Sequence, residues 1–184
     1  IGLGLIGGSL LRDLAASNHS VYGYNHSTSG ARIAVKQGFD VTDDLPTILR
    51  RAEEDKALIV IAVPMDAVAS VLDSIQEHAP SCGFTDVVSV KAEIRQLVVE
   101  RNMHPRYVGG HPMAGTSKSG WENSQTGLFN RAAWVITYDY AAECEARGER
   151  IPAEWEKIFA DVVRMTQMVH AEACLLYTSD AADE

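Results

Sequence analysis

Short apolar runs alternate along this chain with segments whose apolar residues recur at helical spacing. Leu5, Ile6, Leu10, Leu11 and Leu14 follow a cluster of glycines at such spacing, which predicts a helix starting inside the glycines. Ser20 to Asn25 reads as a short strand and Ser29 to Gln37 as a helix stopped by Gly38. Asp43 to Asp55 is a third helix, with Leu45, Ile48, Leu49 and Ala52 on one face. Ala57 to Val63, ALIVIAV, is continuously apolar and bounded by charge and Pro64, the pattern of a strand buried on both faces of a parallel sheet. Asp66 to His78 repeats the helical pattern through Val68, Val71, Leu72 and Ile75. Phe84 to Val90 is then a strand, Lys91 to Asn102 a helix and Arg106 to Gly110 a strand. After a loop of about twenty residues, Ala132 to Tyr138 resumes as a strand. Ala141 to Arg150 reads as surface linker. Pro152 to Met168 is an amphipathic helix turning Trp155, Ile158, Phe159, Val162 and Met165 inward. Alternating strands and helices predict a doubly wound α/β fold on a mostly parallel sheet.

A length of 184 residues with 46% hydrophobic content suits one sizeable core, so one domain is expected. The net charge of −9 argues against nucleic acid or an anionic membrane as partner, since both need a basic face, and favours a small-molecule substrate. Cys82, Cys144 and Cys174 have no metal-ligand spacing and form no even framework of disulfides, so no metal site and a reducing, cytoplasmic setting are expected. No segment reaches the roughly 18 to 20 apolar residues of a membrane span.

Both ends suggest a truncated sequence. Only Ile1 precedes the glycines, where a full strand is expected. The last residues, CLLYTSDAADE from Cys174 to Glu184, resemble the in-frame translation of a transposase-type sequencing adapter. The domain is therefore expected to span 1–173, with 174–184 a non-native tail.

Gly2, Gly4 and Gly7 form G-x-G-x-x-G, and the strand at Ser20 to Asn25 lies about twenty residues further on, as a Rossmann-type βαβ unit requires. Gly2 would make the tight turn, Gly4 would admit the pyrophosphate, and Gly7 would let helix and strand pack closely. The amides of Leu5 and Ile6 would then face phosphate at a helix N-terminus. Asn25, followed by His26, stands where a carboxylate would accept the ribose hydroxyl of NAD, which favours NADP over NAD.

Val63-Pro64, Ser89 and Gly110-His111 each follow a predicted strand, at the sheet edge where ligands of such folds bind. His111 is the candidate acid/base, since an imidazole with an ordinary pKa of about 6.5 suits proton transfer near neutrality. Ser89 could bond this histidine or a substrate hydroxyl, or merely help begin the next helix with Lys91. Thr116 and Ser117 are candidate substrate contacts. The remaining histidines read as surface residues, Cys82 as an inert thiol, and Trp121, Trp134 and Trp155 as packing residues.

GLGLIGGSL, IAVPM, TDVVSVK, YVGGHPMAGT and SGW…GLF, in that order, resemble the prephenate/arogenate dehydrogenase family of tyrosine biosynthesis, from Ile1 to about Ala173. The resemblance implies oxidative decarboxylation with hydride transfer to NAD(P)+. His111 would help remove the proton of the ring hydroxyl, and loss of the ring carboxylate as CO2 would aromatise the ring. It also implies a C-terminal helical domain, absent here, that forms a homodimer and supplies cations for the substrate carboxylates, so that this fragment is inactive alone. Some members carry an acid after the threonine of HPMAGT, where this chain has Ser117. A β-hydroxyacid dehydrogenase type of oxidoreductase would share the glycines without the HPMAGT loop, and a non-catalytic NADP-binding module would bind cofactor without using His111.

Overall fold

The computed structural model describes residues 1–115 and 118–177. The chain alternates strands and helices: α1 Leu5–Ala16, β1 Gly23–Tyr24, α2 Thr28–Lys36, β2 Val41–Thr42, α3 Leu45–Asp55, β3 Ile59–Ile61, α4 Met65–His78, β4 Phe84–Asp86 and α5 Lys91–Glu100. β5 Tyr107–Val108, β6 Gly110–Pro112, β7 Ala133–Thr137, α6 Asp139–Ala146, α7 Ala153–Met168 and β8 Glu172–Leu176 complete it. β1 pairs with β2, and β3, β4 and β5 pair in order, all in parallel. Ile1 and Gly2 join these two groups as a short strand would. The Ile1 nitrogen donates to the Val60 carbonyl at 2.8 Å, Ala62 N donates to the Ile1 carbonyl at 2.7 Å, and Gly2 N donates to the Tyr24 carbonyl at 2.9 Å. The spatial order β2, β1, Ile1–Gly2, β3, β4, β5 is that of a dinucleotide-binding α/β sheet.

The predicted helices form where expected, because each carries an apolar stripe, and Ser27 and Asp44 cap α2 and α3. Asp44 caps α3, its carboxylate accepting from Thr47 N at 3.1 Å and from the Thr47 hydroxyl at 2.7 Å, and these bonds lower its pKa. Leu49 and Ala52 of that helix join the core with Val68, Val71, Leu72 and Ile75 of α4 and with Ile61 and Phe84 of the sheet. A second cluster gathers Trp134 and Ile136 of β7 with Trp155, Ile158, Val162 and Met165 of α7. The Trp155 indole donates to the Tyr107 carbonyl at 2.9 Å and so seats α7 against β5.

Several expectations change. The strands expected at Ser20 to Asn25 and Phe84 to Val90 are paired only over Gly23–Tyr24 and Phe84–Asp86, and β2 at Val41–Thr42 is additional. Ala141 to Arg150 is not a linker: α6 covers Asp139–Ala146 and buries Ala141 and Cys144. The strand expected over Arg106 to Gly110 ends at Val108, and after Gly109 the chain enters a second sheet. There β6 runs antiparallel to β7, with His111 opposite Val135, and β8 runs parallel to β7. Thr137 N donates to the Gly109 carbonyl at 2.9 Å at this crossing. His111 thus lies within an antiparallel strand rather than just past a parallel one. Among the described residues, no helix is long and apolar enough to cross a membrane.

Candidate functional site

The glycine motif makes a tight, uncapped helix start. Gly2 has φ +92°, and a Cβ there would lie 2.6 Å from the Ala62 carbonyl oxygen. Gly4 is the residue before α1, and a Cβ on it would meet nothing within 4 Å. Among the described residues no side chain caps α1, and no acid sits in its first turn, so the amides of Leu5 and Ile6 stand uncapped at the positive end of the helix. An open approach over Gly4 to unpaired amides is what a pyrophosphate requires, so these residues fit a dinucleotide. Val63 stands beside Gly2, its Cγ1 2.8 Å from where a Gly2 Cβ would be, and Pro64 is the residue before α4.

At the far end of β1, the Asn25 side-chain oxygen accepts from Ser27 N at 3.1 Å. The Ser27 hydroxyl accepts from Gly30 N at 3.2 Å, capping α2, and lies 2.9 Å from the Ser29 hydroxyl. His26, Ser27, Thr28 and Ser29 are exposed, forming a polar rim without a carboxylate in the turn itself.

His111 is half-buried, and its Nδ1 lies 3.3 Å from the Val87 carbonyl oxygen. A carbonyl can only accept, so Nδ1 is the donor in this contact, and in the neutral imidazole Nε2 is then the nitrogen with the lone pair, the arrangement a general base needs. Ser89 is exposed two residues beyond Val87, and no bond to His111 is formed, which leaves its hydroxyl for a ligand. Thr116 and Ser117 lie outside the described residues. Gly115, with φ +144°, would place a Cβ 3.6 Å from the Ile6 side chain, so the His111 strand returns to the start of α1. The glycine loop and the HPMAG segment therefore approach each other at Ile6.

Sequence reasoning missed what holds that segment in place. α1 presents Ser9, Arg12 and Asp13 to the loop after His111. Gln125 N donates to the Ser9 hydroxyl at 3.0 Å, Gly127 N donates to Asp13 Oδ1 at 2.7 Å, and Arg12 Nε donates to the Ser124 hydroxyl at 2.8 Å. The Arg12 guanidinium also stacks 4.2 Å over the Trp121 ring, whose indole donates to Gln37. The helix that would receive phosphate is thereby tied to the loop that follows the base. The one available signal was a serine, an arginine and an aspartate on consecutive turns of an otherwise apolar helix.

Other expectations fare unevenly. Trp121, Trp134 and Trp155 are buried, and Cys82 is a buried thiol whose pKa burial pushes up to about 11, inert at neutral pH. His104 is not a surface residue. It sits half-buried with its ring centroid 5.1 Å from that of Tyr140, and burial lowers its pKa.

Fold and site together define a Rossmann-type nucleotide-binding domain with a candidate base, His111, on the strand that leads back to the start of its first helix. Comparison with known proteins narrows this: the family model "Prephenate dehydrogenase, nucleotide-binding domain" matches residues 9–163, and the chain belongs to that family. A prephenate dehydrogenase of Lactococcus lactis is 32% identical over 143 residues, which cover 74% of this chain and 39% of the relative. A solved candidate prephenate dehydrogenase from Corynebacterium glutamicum superposes with TM-score 0.90 at 54% identity, covering 97% of this chain and 54% of its own. Arogenate dehydrogenase from Synechocystis superposes with TM-score 0.74 at 26% identity, covering 97% of this chain and 59% of its own. The chain thus spans about two fifths of the curated relative's length.

Proposed function

We propose that this chain is the cofactor-binding and proton-accepting half of a prephenate or arogenate dehydrogenase, with 1–173 as its natural domain and a further helical domain completing a homodimer. The observation that carries the reading is the His111 ring, its Nδ1 against the Val87 carbonyl, on a strand that returns to the first helix at Ile6. Bound NAD(P)+ would supply the hydride acceptor. His111 would take the proton of the ring hydroxyl through Nε2 while Val87 holds Nδ1–H. Ser89, exposed at the same edge, would donate to or accept from the substrate hydroxyl, with Thr116 and Ser117 as further substrate contacts.

In the complete protein, His111→Asn is expected to lower kcat by about 10²- to 10⁴-fold, the usual worth of a general base, with cofactor Kd nearly unchanged. Near-normal kcat would refute the role. The 184-residue chain alone is expected to bind cofactor weakly and to turn over no substrate.

NADP is the favoured cofactor, because Asn25, His26, Ser27 and Thr28 offer donors and no charge to repel a 2′-phosphate. Asp43 follows β2, close enough to Tyr24 to help burial raise that phenol's pKa, and is the group that would favour NAD. Competition titrations with both cofactors decide between them: tighter binding of NAD would overturn the preference, and Asp43→Asn would show whether this carboxylate is the cause.

A further inference from the structure

Asp86, at the end of β4, is fully buried and receives four donors. Val88 N donates to its Oδ1 at 2.7 Å, the Tyr107 hydroxyl to its Oδ2 at 2.6 Å and Gly110 N to its Oδ2 at 3.3 Å. Lys91 Nζ is the fourth donor, to Oδ1, and also donates to the Gly110 carbonyl at 2.6 Å.

Two of these contacts bear on His111 through rigid peptide planes. The Val88 N–H held by Asp86 and the Val87 carbonyl that receives His111 Nδ1 belong to one planar peptide unit, so fixing its N–H fixes the direction of its C=O. The Gly110 carbonyl held by Lys91 belongs to the peptide unit that leads into His111. Gly110 allows the approach: a Cβ there would lie 2.7 Å from the Asp86 carbonyl oxygen. A buried ion pair is weak evidence for stability, because desolvation offsets attraction, and such pairs are sometimes retained for the geometry they impose.

We infer that Asp86 and Lys91 are positioning residues for His111: they hold the Val87–Val88 and Gly110–His111 peptide planes so that the ring favours the tautomer with Nε2 free. The inference rests on the reading of His111 as the base, but its test does not use activity.

In the 184-residue chain with ¹⁵N-labelled imidazoles, long-range ¹H–¹⁵N correlation at alkaline pH reports the His111 tautomer, assigned by loss of its signals in His111→Asn. The unsubstituted chain is expected to show Nδ1–H as the major tautomer; a majority of Nε2–H overturns the proposal. Asp86→Leu with Lys91→Met replaces the ion pair by apolar groups of similar size, a change that often leaves stability intact. In that folded variant the ratio of Nδ1–H to Nε2–H is expected to fall about tenfold, the scale of one hydrogen bond. An unchanged ratio in folded protein overturns the proposal. Tyr107→Phe, which removes a donor on the far oxygen and leaves Val88 in place, is expected to keep the ratio; a fall there equal to that of the double variant also overturns it. If the double variant does not fold, Asp86→Asn serves, since its single acceptor oxygen must be divided among four donors and the ratio should fall in the same sense. If His111→Asn in the complete protein retained turnover while these ratios moved as expected, the proposed function would fail and the positioning would stand.

Discussion

Gly7→Ala is expected to unfold the glycine loop and abolish nucleotide binding, whereas Gly4→Ala is expected to abolish binding and leave the fold intact. At Gly7 an added Cβ would lie 2.0 Å from the Gly2 carbonyl oxygen and 3.0 Å from the Ala62 Cβ. Both belong to segments fixed by the central hydrogen bonds of Ile1 and Gly2, so neither can retreat without separating α1 from the sheet. Overpacking of this kind costs about 1–3 kcal/mol where neighbours can shift, and more is expected here because a backbone oxygen is the obstacle. At Gly4 the same Cβ meets no protein atom, and φ −81° with ψ −155° is open to alanine. Alanine caps a helix less well than glycine, by roughly 0.5–1.5 kcal/mol, so the variant should still fold, with a small loss of stability. The methyl group would instead stand where pyrophosphate must approach the amides of Leu5 and Ile6. Thermal melts and cofactor titrations on the two variants check this. A Gly4→Ala protein that binds normally, or a Gly7→Ala protein as stable as its parent, would contradict the geometry.

The same physics explains what was legible in the sequence. The glycine motif, the α3 cap and the stripes of α4 and α7 are local patterns with local causes, and they form where the pattern puts them. β2 is two residues long, too short for any periodicity to register. α6 hides its buried side in Ala141 and Cys144, small residues among three acidic ones, so its composition looks like solvent-exposed chain. β8 is exposed throughout and is held by backbone pairing with β7, which side-chain pattern does not encode. At the site, His111 stood out because glycines and a proline surround it. Asp86 did not, because in TDVVSVK it looks like a polar interruption of a strand, and its partners Tyr107 and Gly110 lie 21 and 24 residues away. The clasp of α1 on the loop spans still larger separations, 112 residues between Arg12 and Ser124.

For the 184-residue chain with a free amine at Ile1, stability is expected to climb as pH rises from about 5 to about 8, and acetylating that amine is expected to remove most of the rise. The amine donates to Val60 in the middle of the sheet, and burial lowers its pKa from 8.0 to about 5. Between those values the unfolded chain holds a proton that the folded chain does not, so the folded state gains with rising pH, and the gain is lost as pH falls through about 5. Three pKa units correspond to roughly 4 kcal/mol. That is an upper bound, because a cavity of about 630 Å³ opens beside Ile1 between β1 and β3, lined by Leu10, Leu14, Tyr22, Leu49, Leu58 and Met165, and water entering it would ease the cost of charge. An acetyl amide keeps the N–H for Val60 and cannot be protonated, so the acetylated chain should match the free chain near pH 8 and exceed it progressively below. Apolar residues joined ahead of Ile1 would do the same and also fill the cavity, adding stability at every pH through the buried area. Urea midpoints across this pH range, with and without acetylation, provide the measurement. Parallel curves for the two chains would show that the amine is hydrated through the cavity and contributes nothing to the pH dependence.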